Sequence, residues 1–426
     1  MTRLFLLIAC VAFPLTAHSQ EEANYDEAAV PAYTLPDPLV ALDGTAVTTK
    51  EQWQQKRRPE ILALFESHVY GKMPGKPPYF RVEEKEMDMY AFGGAAIRKQ
   101  VSIYLSDGAE RPRIDVLVYV PRQAKGPVPV FLGLNFGGNH TVYRDPNILL
   151  SDAWMRESKE SGVVDNRATE ATRGASSNRW AVDAILSRGY GLVTAYYGDI
   201  DPDFDDGFQN GVHPLFYAEG QHAPAADEWG SIGAWAWGLS RIMDYLELEP
   251  LVAAQRVAVI GHSRLGKTAL WAGATDERFA MVISNNSGCG GAALARRRFG
   301  EKVERINRVF PHWFCDNFTQ YNDKEDSLPV DQHELIALIA PRPVYVASAE
   351  EDRWADPKGE FLSAFHAGPV YRLFGLECMS VETMPAAGVP VAGFVSYHMR
   401  PGKHDVTLYD WQRYMDFADP YLKPRS

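Results

Sequence analysis

The sequence predicts an α/β fold, a three-layer sandwich in which helices cover both faces of a mostly parallel central sheet. Short, continuously apolar runs recur along the chain and have the length and β-branched content of buried strands. Amphipathic helical patterns separate several of these runs, which is typical of strands joined by helical crossovers. One run enters a glycine-flanked turn that leads directly into a helix, within residues 256–274.

The predicted strands are the apolar runs at 114–120, 128–134, 191–197, 257–260, 281–284, 344–348 and 394–398. The clearest helical patterns lie at 231–246, 267–274 and 332–339. No repeat period and no Gly/Ser-rich linker divides the chain, so we expect residues 20–426 to form a single domain. The stretches at roughly 139–180, 200–225 and 290–330 are expected to be loop insertions.

The composition is that of a water-soluble globular protein, with 46% apolar and 23% charged residues among 426. The formal net charge of −12 argues against nucleic acids and anionic membranes as partners. After residue 20 the chain holds three cysteines at long spacings, Cys289, Cys315 and Cys378. This pattern is neither a disulfide framework nor a zinc site. At most one bridge can form, and we expect free thiols.

Residues 1–19 have the three parts of a secretory signal peptide. Arg3 supplies a positive charge, residues 4–15 form an apolar segment, and Ala17-His18-Ser19 fits a small-x-small cleavage site. The apolar segment is too short to span a bilayer, so no membrane span is expected. We therefore predict a secreted or periplasmic protein.

The most informative segment is a strand at 257–260 that continues as Gly261-His262-Ser263-Arg264-Leu265-Gly266-Lys267. A strand, a tight turn with a serine at its apex and then a helix form the nucleophile elbow of α/β-hydrolases. The turn presents the Ser263 hydroxyl above the sheet, and small neighbours let the backbone approach. The backbone N–H of Arg264 would face the oxyanion that develops during ester cleavage. Ser263 is therefore the predicted nucleophile of a serine esterase.

Residues 261–268 also match the P-loop pattern G-x-x-x-x-G-K-[ST], so a nucleotide-binding protein is an alternative interpretation. Three observations favour the elbow. An exported protein has little access to nucleoside triphosphates, and no convincing apolar strand ends in an aspartate placed to hold magnesium. The chain downstream also supplies an acid and a histidine in the order that an α/β-hydrolase requires.

The acid of a catalytic triad is expected after a later strand, in the chain order serine, acid, histidine. Asp352, in the acidic loop after the strand at 344–348, is the first choice. Asp356 is the second choice, followed by Glu350 or Glu351. Most of these carboxylates are expected to be solvated loop residues.

His404 is the predicted base because it lies in a loop after the strand at 394–398 and before the C-terminal helical pattern. His398 lies inside the apolar strand, and we expect it to be structural. A second oxyanion donor is expected from the glycine-containing loop 135–139, with an ordinary turn as an equal alternative.

Four segments, in order, resemble the glucuronoyl esterases, especially the bacterial branch of that family. They are the elbow, which resembles G-C-S-R-x-G-K, and then Ser287-Gly288-Cys289-Gly290-Gly291-Ala292, Phe310-Pro311-His312-Trp313-Phe314 and Trp354-Ala355-Asp356-Pro357. The resemblance spans roughly residues 60–420. It implies an α/β-hydrolase that cleaves esters between 4-O-methyl-glucuronic acid on xylan and lignin alcohols, without a metal or other cofactor.

The resemblance also implies roles for the residues that match. It implies that Ser263 is the nucleophile and His404 the base. It also implies that Arg264 stabilises the oxyanion through its backbone N–H and its guanidinium. It also implies that the sugar acid is bound by Lys267, Glu301 and Trp354. Lys267 lies four residues after Ser263, on the same face of the predicted helix.

Two positions depart from the fungal pattern. Fungal members carry a cysteine before the nucleophile, bridged to a cysteine beside the histidine, whereas this chain has His262 there and no nearby cysteine. Fungal members also take their triad acid from a glutamate after the strand that corresponds to 281–284, where this chain has Asn286. Asparagine offers no carboxylate, so the acid must come from elsewhere, which agrees with the choice of Asp352.

The predicted function is therefore a secreted esterase that acts on glucuronoxylan and lignin–carbohydrate esters, and we expect it to be a monomer. A deacetylase of xylan or of another carbohydrate is the alternative on the same fold, because it would use the same triad.

Overall fold

Nine strands form one sheet in the computed structural model, which describes residues 23–108, 110–158 and 161–423. They are β1 (Arg81–Ala91), β2 (Ala96–Tyr104), β3 (Arg113–Pro121), β4 (Val128–Asn135), β5 (Gly191–Tyr196), β6 (Val252–His262), β7 (Met281–Asn285), β8 (Val344–Ala349) and β9 (Val395–Arg400). The signal peptide predicted at residues 1–19 lies outside the described residues.

The sheet has the strand order β1-β2-β3-β5-β4-β6-β7-β8-β9. Strands β4 to β9 pair in parallel, whereas β1, β2 and β3 pair antiparallel and join the rest through β5. The mostly parallel sheet predicted from the sequence is thus confirmed. The register pairs His262 with Asn285, Asn285 with Ala347, and Ala347 with His398. The loops that follow β6, β7, β8 and β9 therefore open at one edge of the sheet.

Helices cover both faces of the sheet. They are α1 (Lys50–Gln52), α2 (Arg58–Phe65), α3 (Val182–Ser187), α4 (Ser231–Leu246), α5 (Arg264–Thr275), α6 (Val303–Val309), α7 (Gln332–Ala337), α8 (Pro357–His366), α9 (Gly368–Leu373) and α10 (Leu408–Leu422). Side chains alternate along β6, so Val257 and Val259 join the core that contains α4 and α5. Ala258 and Ile260 join the opposite core, under α3 and α10. The result is the predicted three-layer sandwich.

The hairpin of β1 and β2 was not predicted from the sequence. Strand β1 is at the edge of the sheet, most of its side chains are at least partly exposed, and its sequence holds three Glu, one Asp and one Lys. Such residues are depleted in strands, so the apolar pattern that marks a buried strand is absent here. Cys289, Cys315 and Cys378 are free thiols, as expected. Within the described residues, no helix is long and apolar enough to cross a membrane.

Candidate active site

Ser263 occupies a one-residue turn between β6, which ends at His262, and α5, which begins at Arg264. Its backbone has φ 57° and ψ −128°, a conformation that costs a non-glycine residue roughly 1–3 kcal/mol. The turn persists because its surroundings fix it: the N–H of Ser263 donates to the Asn285 carbonyl at 2.9 Å, and the N–H of Gly266 donates to the Ser263 carbonyl at 2.8 Å. The predicted nucleophile elbow is therefore present as a strained turn.

Gly261 is required by the tightness of this turn. A Cβ at that position would lie 1.8 Å from the Leu265 carbonyl oxygen, so no side chain fits. The strand runs straight into the turn and the helix starts one residue after its end. A P-loop needs several residues between strand and helix, whose backbone N–H groups surround the phosphates. Only one residue separates β6 from α5, which argues against the P-loop interpretation.

The predicted base and acid are in contact. His404 Nδ1 and Asp352 Oδ2 are 2.6 Å apart, and the Asn286 amide donates to the same oxygen at 2.8 Å. An ionised carboxylate only accepts hydrogen bonds, so the proton of the neutral His404 ring is on Nδ1. Nε2 is then unprotonated and can accept a proton. Burial raises the pKa of Asp352, but the hydrogen bond and charge of His404 and the Asn286 amide hold that pKa below its usual value.

The other acids considered from the sequence have different roles. Asp356 accepts from Arg297 Nε at 2.8 Å and caps α8 through the Gly359 N–H at 2.9 Å. Glu350 and Glu351 are exposed. His398 is structural, as predicted, because it is fully buried between the Tyr345 hydroxyl and the Asp410 carboxylate.

His262 lies against the predicted base, which the sequence did not indicate. The rings of His262 and His404 are 4.4 Å apart between centroids, and His262 Nδ1 is 2.7 Å from the Asn285 amide oxygen. Burial, and then the charge of His404, lower the pKa of His262 to about 3. His262 is therefore neutral at working pH and supports the His404 ring without adding a second positive charge.

The Arg264 side chain contacts residues of the loops that follow β4 and β5. Its Nη1 donates to Asp203 Oδ2 at 2.6 Å, and its guanidinium lies 4.9 Å from the centre of the Trp313 ring and 5.4 Å from that of Phe136. In the loop 135–139, the N–H of Gly138 donates to the Asn135 side chain at 2.7 Å. That N–H is already used within the turn, so it is not free to act as the second oxyanion donor.

The three residues proposed to bind the sugar lie together. Burial lowers the pKa of Lys267, and the nearby Glu301 carboxylate partly opposes this shift. Burial likewise raises the pKa of Glu301, opposed by Lys267 and by a hydrogen bond with Trp354. The Glu301 N–H donates to the Trp354 carbonyl at 3.0 Å. Trp354 is 38% exposed, so part of this aromatic residue is open to solvent beside Lys267 and Glu301.

The Lys267 ammonium is held by the loop after β7, and a buried glutamate holds that loop. Lys267 Nζ donates to the Ser287 carbonyl. The Ser287 and Gly288 N–H groups donate to Glu360 Oε1 at 2.7 and 3.0 Å, and the Ser348 hydroxyl donates to Oε2. Burial raises the pKa of Glu360 to about 7, although these hydrogen bonds oppose the shift. The sequence contains no local signal for this support, because the residues involved come from four separate segments of the chain.

Glu360→Gln is expected to flatten the pH dependence of thermal stability. Folding raises the pKa of Glu360 from about 4.5 to about 7, so the folded state binds the extra proton between these values. The stability linked to this proton is fully present below pH 4.5 and is lost as pH rises through 7. The neutral glutamine removes this loss. Melting temperatures between pH 4 and 9 test the effect, with the exposed Glu350→Gln as control. If the melting temperatures of wild type and Glu360→Gln change in parallel with pH, this expectation is contradicted.

Comparisons with known proteins connect this geometry to a family. Residues 216–375 match the family model described as glucuronyl esterase, fungi. The chain is 54% identical over 400 residues to the carbohydrate esterase MZ0003 of an unknown prokaryotic organism, covering 94% of this chain and 92% of that one. A solved glucuronoyl esterase from Solibacter usitatus is 51% identical with a TM-score of 0.89, covering 93% of this chain and all of that one. A solved promiscuous CE15 esterase from a marine bacterial metagenome is 53% identical with a TM-score of 0.89, covering 94% of this chain and all of that one.

Proposed function

The chain belongs to the glucuronoyl esterase family of carboxylic ester hydrolases, and from this premise we propose that it cleaves esters between the glucuronic acid of glucuronoxylan and lignin alcohols. We further propose that Ser263, His404 and Asp352 are its catalytic triad. The observation that carries the proposal is the contact of His404 with Asp352 at 2.6 Å, in loops that open at the same edge of the sheet as the Ser263 elbow.

The first half of the reaction forms an acyl-enzyme. Ser263 Oγ attacks the ester carbonyl while His404 Nε2 takes the hydroxyl proton, and Asp352 stabilises the resulting imidazolium. The tetrahedral oxyanion is stabilised by the Arg264 guanidinium and by the first backbone N–H groups of α5. When the intermediate collapses, His404 returns the proton to the leaving alcohol, and the glucuronoyl group stays on Ser263.

The second half of the reaction regenerates the enzyme. A water molecule attacks the glucuronoyl carbonyl and His404 takes one of its protons. Collapse of the second tetrahedral intermediate breaks the bond to Ser263 Oγ, which recovers its proton from His404. The products are the free glucuronic acid group on xylan and the neutral enzyme, and the water oxygen ends in the new carboxylate.

The sugar-binding role is assigned to Lys267, Glu301 and Trp354. The uronate is uncharged while it is esterified, so recognition depends on its hydroxyl groups and its ring faces. A lysine and a glutamate of opposite charge offer a donor group and an acceptor group to sugar hydroxyls, and together they carry little net charge. Trp354 is partly exposed, and its aromatic ring suits the apolar face of a pyranose ring.

A second candidate function is broader esterase activity that includes deacetylation of xylan. It is favoured by the 53% identity to a promiscuous CE15 esterase, and it needs the same triad. The two functions differ in what the Lys267, Glu301 and Trp354 patch recognises, because an acetyl group presents no hydroxyl to bind.

Benzyl glucuronate is expected to be cleaved with a kcat/KM at least about 100-fold above that for acetylated xylan. An acetyl group would leave Lys267 and Glu301 without hydrogen bonds to sugar hydroxyls, which disfavours its transition state. Trp354→Ala should lower kcat/KM for the glucuronate ester about tenfold through lost ring contact, and should affect the acetyl ester less. The exposed Tyr90→Ala, at the far edge of the sheet, is the matched control. Equal rates on both esters would favour the broader function.

Residues 1–19 are proposed to be a signal peptide that exports the protein, and residues 20–426 a single α/β-hydrolase domain with loop insertions. Export suits a substrate that is a plant-wall polymer, since such a polymer does not enter a cell.

A further inference from the structure

Asp203 lies in the loop after β5, and its carboxylate accepts hydrogen bonds from four donors in three segments of the chain. They are Arg264 Nη1 at 2.6 Å and the Tyr197 hydroxyl at 3.0 Å on Oδ2, and Trp313 Nε1 at 2.8 Å and His312 Nε2 at 2.9 Å on Oδ1. The Asp203 side chain is 8% exposed, so its negative charge is stabilised by these donors rather than by water. Burial raises its pKa, but the hydrogen bond from His312 and the charge of Arg264 hold it below the usual range.

The guanidinium of Arg264 is held both at its edge and on its face. Asp203 binds its Nη1 edge, and the Trp313 ring lies 4.9 Å from its centre. The same Trp313 donates its indole N–H to Asp203 and stacks against Phe310 at 3.8 Å. A free arginine side chain samples many rotamers, whereas this one is fixed by a carboxylate and a ring that are themselves bound to each other.

We propose that Asp203 is the positioning residue of the oxyanion site, which holds the Arg264 guanidinium in place beside Ser263 before the substrate carbonyl is attacked. Donors that are already oriented stabilise developing charge without reorganising during the reaction, and this preorganisation is the main source of oxyanion stabilisation. Asp203 touches neither substrate nor Ser263 in this role. The inference rests on the proposed function of Arg264 as an oxyanion donor.

Asp203→Asn is expected to lower kcat about 10- to 100-fold, a part of the loss that follows removal of an oxyanion donor, while KM changes less than about threefold. The matched control is Asp145→Asn. Asp145 is also buried and also accepts from an arginine and a tyrosine, Arg98 and Tyr119, but it lies at the β2–β3 end of the sheet. The control should lose thermal stability and keep its kcat. An Asp203→Asn enzyme that loses stability but keeps wild-type kcat would overturn the proposal.

A double-mutant cycle separates positioning from general destabilisation. If Asp203 acts through Arg264, Arg264→Ala/Asp203→Asn should have the same kcat as Arg264→Ala. If the kcat losses of the two single variants instead multiply in the double variant, the proposal is contradicted.

If Asp203→Asn does not fold, Asp203→Glu is the alternative variant. It keeps the charge that the buried donors need but moves the carboxylate by one methylene. Its kcat should also fall, and wild-type turnover by Asp203→Glu would equally contradict the proposal.

Both benzyl glucuronate and p-nitrophenyl acetate are used as substrates, because every ester forms an oxyanion. Loss of kcat in Asp203→Asn on the acetate ester would support the positioning role even if glucuronate esters were not cleaved, in which case only the proposed substrate class fails. Normal kcat of Asp203→Asn on both esters, with efficient glucuronate cleavage by the wild type, would reject the role of Asp203 and leave the proposed function standing.

Discussion

Ser263→Ala is expected to reduce kcat on benzyl glucuronate by about 100,000-fold or more, because alanine has no hydroxyl to form the acyl-enzyme. The turn itself should survive. The strained conformation at φ 57° is set by hydrogen bonds of the backbone, which alanine preserves, so the melting temperature should change little. Release of benzyl alcohol measures the activity. The exposed Ser187→Ala in α3 is the matched control and should remain fully active. Residual activity above about 1% in Ser263→Ala would show that another nucleophile acts.

Asp352→Asn is expected to have the second largest effect, a loss of about 1,000- to 10,000-fold in kcat. An uncharged amide cannot stabilise the His404 imidazolium. Where its NH₂ group faces Nδ1, it donates a hydrogen bond and cannot accept one. The ring would then take the tautomer that protonates Nε2, which removes the base from Ser263. The steady-state kcat of the purified variant measures the loss, with circular dichroism to check folding.

Two neighbouring variants make the Asp352 result specific. Asp356→Asn should lose stability, because it weakens the Arg297 pair and the α8 cap, but should keep kcat within a few-fold of wild type. Asn286→Ala removes one donor to Asp352, worth about 1 kcal/mol, so kcat should fall less than tenfold. If Asp356→Asn is the inactive variant and Asp352→Asn is not, the acid has been misassigned.

The sequence predicted the part of the fold that depends on local pattern. Strands β3 to β9 are buried on both faces, so their apolar runs identify them without knowledge of their neighbours. The elbow, Asp352 and His404 were predicted from chain order, because each lies in the loop or turn that follows a predicted strand. Strand β1 was missed because it is an exposed edge strand without such an apolar run. Strand β2 is buried, but Arg98, Lys99 and Gln100 interrupt its apolar pattern.

The supporting contacts of the site could not be predicted, because they depend on packing between distant segments. Asp203 meets Arg264 and Trp313 across 61 and 110 positions of the chain, and nothing in its own sequence neighbourhood marks it. The resemblance singled out Asn286 as a departure from the fungal pattern. Its hydrogen bond to Asp352 emerged only from the pairing of β7 with β8, which places their following loops side by side.

The most direct test of the central claim is labelling by a fluorophosphonate, with the modified residue located by mass spectrometry of peptides. Fluorophosphonates react with serines that are activated by a triad base. We predict a single adduct on Ser263, formed more slowly in the presence of benzyl glucuronate and formed much more slowly in Asp352→Asn. An adduct on a different residue, or labelling of Ser263 that is unchanged in Asp352→Asn, would contradict the triad of Ser263, His404 and Asp352.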